Sequence, residues 1–147
     1  MYFLRRLKKL GASLNTLKEA YCLFVRPTLE MCAPLWTGAL TRTKFLSDAL
    51  ERVQRSFCKM LFPYKSYDWS TQFLKLEKLS ERRIFLAKRT AEKMIENPKY
   101  SHMFPQIEQN VSTRSCRKYR EPKWKSLRYG FSALPFMIRL VNREQAR

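Results

Sequence analysis

Three glycines in 147 residues leave few positions for the tight turns that hairpins require, which argues against a fold built on β-hairpins. Acid is scarce as well: 12 Asp and Glu stand against 30 Lys and Arg, a net charge of +18. Only two of the acids are aspartates, Asp48 and Asp68, so the paired carboxylates that hold magnesium ions for phosphoryl transfer are missing. No phosphate-binding glycine loop, G-x-S-x-G, H-E-x-x-H or G-x-G-x-x-G pattern occurs. His102 is the single histidine and has no neighbouring nucleophile and orienting acid, which makes it a structural or surface residue. Cys22, Cys32, Cys58 and Cys116 form no C-x-x-C pair. A zinc site would need four ligands from these five scattered residues, so neither a metal nor a cofactor is expected. The cysteines read as reduced, mostly buried thiols of an intracellular protein, nuclear or cytoplasmic. No run approaches the 18 apolar residues of a membrane helix, and Arg5 and Arg6 follow Tyr2-Phe3-Leu4, the wrong order for a secretory signal.

What remains is apolar, aromatic and basic. With 45% apolar residues, ten Phe and seven Tyr, the chain can build a core as one domain, or a domain with a tail. The expected fold is all-α: a small bundle of about four to five helices, a basic irregular C-terminal segment and a short terminal helix. Its expected divisions are a helical bundle over 1–61, a connecting loop and fourth helix over 62–105, and the basic segment with the last helix over 106–147.

The central element is the helix Leu46 to Leu61, in which Leu46, Ala49, Leu50, Val53, Phe57, Met60 and Leu61 make one apolar stripe. Asp48, Glu51, Arg52, Arg55 and Lys59 are placed on its wet face. Upstream, residues 1–10 form a short helix stopped by Gly11, and Ser13 caps a second helix with Leu14, Leu17, Tyr21, Phe24 and Val25 inward. Pro27 breaks or kinks that helix, and Pro34 ends the short piece after it. Trp36 reads as a core aromatic in preference to a stacking platform. Thr41 or Thr43 caps the central helix and Pro63 closes it. A loop follows, with one helical turn from Ser70. A helix from about Ser80 to Glu96 carries Ile84, Ala87, Ala91, Met94 and Ile95 as its stripe and stops at Asn97-Pro98. Finally Ser132 caps a helix with Pro135 in its first turn and Leu134, Met137, Ile138 and Val141 inward. Docking that stripe on the core closes the basic segment into a loop held at both ends.

That segment, Arg114 to Arg128, sets seven basic residues and one acid among Tyr119, Trp124 and Leu127. Basic side chains neutralise phosphates and release counterions, and aromatic rings stack on unpaired bases. Arg117, Lys118, Arg120, Lys123, Lys125 and Arg128 are the expected phosphate contacts, with Tyr119 and Trp124 as stacking candidates. Arg5, Arg6, Lys8 and Lys9 on the first helix form a second set. The bland alternative is a basic loop that keeps the protein soluble or serves as a nuclear address.

The order Phe24-Val25-Arg26-Pro27-Thr28-Leu29-Glu30, Pro34-Leu35-Trp36 and Leu50-Glu51-Arg52-Val53-Gln54-Arg55 resembles the region downstream of the catalytic core in LINE-type, non-LTR retrotransposon reverse transcriptases. Tyr2-Phe3-Leu4-Arg5-Arg6-Leu7-Lys8, Leu79-Ser80-Glu81-Arg82-Arg83, Asn97-Pro98-Lys99 with Phe104-Pro105, Arg117-Lys118-Tyr119, and Ser132-Ala133-Leu134-Pro135 with Arg139-Leu140-Val141-Asn142 extend the resemblance over essentially the whole chain. Met31 departs from it, where the family often has tyrosine, and no Cys-His knuckle is present. The resemblance implies a thumb-like helical region and C-terminal segment, which in the full enzyme grips template and primer. The palm with its Tyr-x-Asp-Asp motif would lie upstream of Met1, an internal methionine on this reading. The resulting expectation is a non-catalytic fragment that binds RNA, an RNA/DNA hybrid or DNA with little sequence preference and has no membrane partner. The alternative is an inactive remnant or protein-interaction module that needs the missing polymerase palm to fold or function.

Overall fold

The computed structural model describes residues 1–107 and 118–144. The chain is all-α, with α1 (Tyr2–Lys9), α2 (Leu14–Ala20), a π-helical turn (Tyr21–Val25), α3 (Arg26–Glu30), α4 (Ala33–Arg42), α5 (Lys44–Leu61), α6 (Tyr67–Phe73), α7 (Leu79–Glu96), α8 (Pro98–Ser101), α9 (Leu127–Gly130) and α10 (Ala133–Glu144). Among the described residues the only β pairing is an isolated antiparallel bridge between Gln106 and Tyr119. No helix among them is long and apolar enough to cross a membrane.

The helices outnumber the four to five expected because prolines open new ones: Pro27, Pro34 and Pro98 stand in the first turns of α3, α4 and α8. Pro34 thus begins α4 instead of ending the piece before it, and Trp36 lies inside that helix. Pro27 lacks an N–H, and its ring crowds the carbonyl four residues back. The π turn directly upstream widens the coil where that crowding falls. Gly11, at φ +83°, stops α1 as expected: Ala12 N–H donates to Leu7 O at 3.1 Å and Gly11 N–H to Lys8 O at 3.1 Å. Ser13 caps α2 by accepting Thr16 N–H at 3.2 Å. The loop after α5 holds more helix than one turn, because Ser66 accepts Trp69 N–H and so starts α6 at Tyr67, three residues before Ser70. Thr41, Thr43 and Ser132, expected as caps of the following helices, donate their hydroxyls back to Gly38, Ala39 and Tyr129 carbonyls.

Contacts divide the chain into two compact units, one of residues 1–31 with 44–82, the other of 32–43 with 83 onward. Neither is a continuous stretch, so the expected boundaries after 61 and 105 do not coincide with them. Local patterns cannot reveal that α4 leaves its sequence neighbours to pack with α10.

The first unit has a core of Leu4, Ala20, Tyr21, Phe57, Cys58, Leu74 and Leu76. Tyr21 and Phe57 stack at 4.2 Å and 9°, and burying a ring such as Phe57 stabilises the fold by about 2–3 kcal/mol. The buried face of α5 differs from the expected apolar stripe. Glu51, assigned to the wet face, is 6% exposed, Gln54 is fully buried, and Leu46 is exposed. The buried line runs through Glu51, Gln54, Phe57 and Cys58. Hydrogen bonds make it possible: Tyr21 Oη donates to Gln54 Oε1 at 3.0 Å, and Gln54 Nε2 donates to Tyr67 Oη at 3.1 Å and Glu77 O at 2.9 Å. Tyr67 Oη donates to Glu51, whose carboxylate also accepts the N–H groups of Leu79 and Ser80. Buried polar groups satisfied in this way are tolerated, but a hydrophobicity pattern places them in solvent.

The second unit buries Ala91, Phe104, Tyr119, Met137 and Ile138 together. Met137 and Ile138 of α10 point inward as expected, joined by Pro135 and Phe136. Gly38 of α4 sits so close to Phe131 O and the Phe136 side chain that an added Cβ would come within 2.5 and 2.8 Å of them.

Candidate nucleic-acid interface

α1 and α5 both carry basic residues on their outward faces, and the sequence gives no local acid to neutralise those on α1. Lys8 Nζ donates to the carbonyl of Met60, one of the orphan acceptors at the C-terminal end of α5, where the helix dipole favours a cation. This bond ties the end of α1 to the end of α5. Between them lies an open groove of about 790 Å³ lined by Arg5, Lys8, Lys9, Arg52, Arg55, Ser56, Lys59 and Met60. Six of these residues are cations and none is an acid. The α5 side, Arg52 to Lys59, runs about 10 Å, the axial length of about three phosphates on one strand.

Arg5, Lys8 and Lys9, the second expected set, therefore share one groove, while Arg6 is exposed but does not line it. Arg52, Arg55 and Lys59 complete the groove. On sequence alone these three are ordinary solvated charges of the wet face of α5. Their spacing of three and four residues on one helix face was the available signal, and it acquires meaning only once α1 is known to lie alongside.

At the groove's end the face carrying Arg52, Arg55 and Lys59 continues to Phe62, three residues on, whose N–H still bonds to Cys58 O at 2.8 Å in helical fashion. Phe62 meets Trp69 and Phe73 of α6 edge-on, each at 5.4 Å, and those two rings stack on each other at 5.0 Å and 11°. Trp69 is 39% and Phe73 56% exposed. Lys65 Nζ lies 5.2 Å from the Trp69 ring centre, and the Arg55 guanidinium 5.4 Å from that of Tyr67.

The other expected set lies in the second unit. Lys118, Arg120, Lys123, Lys125 and Arg128 are exposed there, and Arg117 falls outside the described residues. Tyr119, expected as a stacking surface, is 4% exposed and packs edge-on against Phe104 at 6.0 Å. Its backbone is pinned by Asn142, which accepts Tyr119 N–H at 3.1 Å and donates to Tyr119 O at 2.9 Å. The period of the segment hid this, because a single ring buried from a loop leaves no repeat to detect. Trp124 is partly exposed, but Arg139 lies 5.2 Å from its ring centre and the backbone of Gly130 presses close to its indole nitrogen. Arg139 also pairs with Glu121 at 3.3 Å and donates to Gly130 O. The described part of the basic segment is thus fastened to α10 by Asn142 and Arg139, with its cations outward.

Among the described residues no group of three His, Cys, Asp or Glu side chains is placed to hold a metal ion. No family model matches the chain, and no curated protein and no solved structure matches it either.

Proposed function

We propose that this protein binds nucleic acid through its phosphate backbone, without catalysis and with little sequence preference, as a relative of the thumb and C-terminal region of LINE-type reverse transcriptases. The observation that carries the reading is the α1/α5 groove, where six cations line one concave surface without an acid. Like charges gathered so closely repel one another until an anion shares their field, and a polyanion of regular spacing is the ligand that suits a groove. The outward cations Lys118, Arg120, Lys123, Lys125 and Arg128 add a second phosphate-binding surface, and RNA, an RNA/DNA hybrid and DNA all offer the same backbone chemistry. The family assignment rests on the ordered sequence resemblance, and a nuclear or cytoplasmic location goes with such a ligand.

A salt titration of binding to an RNA/DNA hybrid, single-stranded RNA and duplex DNA tests this. Wild type should lose affinity with a log–log slope steeper than about −3, and Arg52→Gln with Lys59→Gln should flatten the slope by about 2, at ~0.9 per phosphate. Weak, salt-insensitive binding by a folded protein would refute it.

A second reading has its own observation. Tyr2, Phe3, Leu10, Leu23, Phe24 and Met31 of the first unit are large, apolar and exposed. That is the surface of an interaction module, and on the family resemblance its partner is a polymerase palm. Concentration-dependent self-association, relieved by Phe24→Ser with Leu23→Ser, would favour it.

A further inference from the structure

We infer that the cluster Phe62, Trp69 and Phe73 is a stacking site for an unpaired base, so that the groove engages a junction where a strand leaves a duplex. The inference rests on the groove reading given above. Three observations support it. The first is continuity: Arg52, Arg55, Lys59 and Phe62 follow one another at three- and four-residue steps, so a backbone lying along the cations of α5 arrives at the rings. The second is what the rings are doing. Core aromatics are buried, yet Trp69 and Phe73 stand part-exposed and stacked on each other, held by Phe62 against their edges. Rings fixed in this way lose little freedom on taking up a base. The third is charge. Lys65 lies over Trp69 and Arg55 over Tyr67, so the rings are flanked by cations that phosphates on either side of an unstacked base would meet. A paired base keeps its faces inside the duplex and cannot use the platform. A base beyond the last pair has a free face, and seating it on Trp69 moves the Lys65 ammonium aside to its phosphate.

The occupant is therefore a single-stranded nucleotide next to a duplex. The chemistry is a π face for the base and cations for the phosphates, and it contains no base-edge readout.

The test uses the full chain and three ligands of equal charge: a blunt duplex, a duplex with a six-nucleotide overhang, and a single strand. Wild type should bind the overhang duplex about tenfold more tightly than the blunt one. Trp69→Leu with Phe73→Leu retains apolar bulk against Phe62 but removes the π faces, and should abolish the preference while leaving blunt-duplex affinity unchanged. Arg52→Glu with Lys59→Glu should weaken binding to both. A 2-aminopurine at the first unpaired position should be quenched on binding wild type, a readout that needs no variant. Equal affinity for blunt and overhang duplexes, or an unquenched probe, would overturn the stacking site and leave the groove reading standing. Unchanged binding by the Arg52/Lys59 variant would overturn the groove reading and the inference together.

Discussion

The carboxylate of Glu51 accepts the backbone N–H of Ser80 at 3.2 Å, so a side chain in the middle of α5 supplies the start of α7 with its acceptor. A second oxygen takes Leu79 N–H at the same distance. A negative charge at a helix N-terminus meets both the unpaired donors and the positive end of the dipole. Glu51→Ala leaves those two N–H donors and the O–H of Tyr67 without their acceptor. Urea unfolding should show a loss of about 3 kcal/mol, and a loss below about 1 kcal/mol would mean that water replaces the carboxylate.

The buried phenol of Tyr21 and the half-buried phenol of Tyr67, both bonded to Gln54, bear on the response to alkali. Burial pushes the Tyr21 hydroxyl well above the ordinary phenol value of 10.0, and burial followed by the bond to Glu51 does the same for Tyr67. Between pH 10 and the raised value the unfolded chain loses these protons and the folded chain keeps them. Their contribution is therefore complete below pH 10 and declines as pH rises beyond it. Thermal melts from pH 9 to 12 should show Tm falling above pH 10, with a shallower fall in Tyr21→Phe. An unchanged slope in that variant would assign the alkaline loss to other groups.

Cys58 is pushed up to about 11, first by burial and then by the negative charge of Glu51. Cys32 is exposed. At pH 8 an alkylating reagent should modify Cys32 within minutes and spare Cys58 until denaturant is added, as mass spectrometry of the peptides would show. Labelling of both at equal rates would mean that the first core opens readily.

Gly38 gives a substitution whose sign is reversed. Alanine inside a helix ordinarily stabilises by about 1 kcal/mol relative to glycine. Here the new Cβ would lie 2.5 Å from Phe131 O and 2.8 Å from Phe136 Cβ. Backbone and a buried ring cannot both give way, so Gly38→Ala should destabilise by at least ~2 kcal/mol in urea. Neutral or improved stability would show that α4 and α10 are not so closely packed.

The helices were legible in the sequence where the period of apolar residues agreed with the caps, as in α1 ending at Gly11, α2 opening at Ser13 and α7 running to Glu96. The inward face of α5 was not, because Glu51 and Gln54 are polar and owe their burial to partners on α6 and around the start of α7. Half of the α1/α5 groove was legible, as Arg5, Lys8 and Lys9. Its other half needed the docking of α1, whose Leu4 enters the first core and whose Lys8 reaches a main-chain carbonyl 52 residues away. Tyr119 failed in the opposite direction: a ring among arginines and lysines looks like a stacking surface until Asn142, far along the chain, is seen to hold its backbone.

The near contact between Gly38 and Phe136 also bears on how the protein is made. The two residues are separated by 98 positions, so α4 emerges from the ribosome long before the helix it packs against exists. During that interval the second unit cannot close, whatever the first has achieved, because α10 must return to a segment synthesised seconds earlier. A nascent chain arrested before Ala133 should therefore be a chaperone client and a protease substrate at α4, and release of α10 should end both.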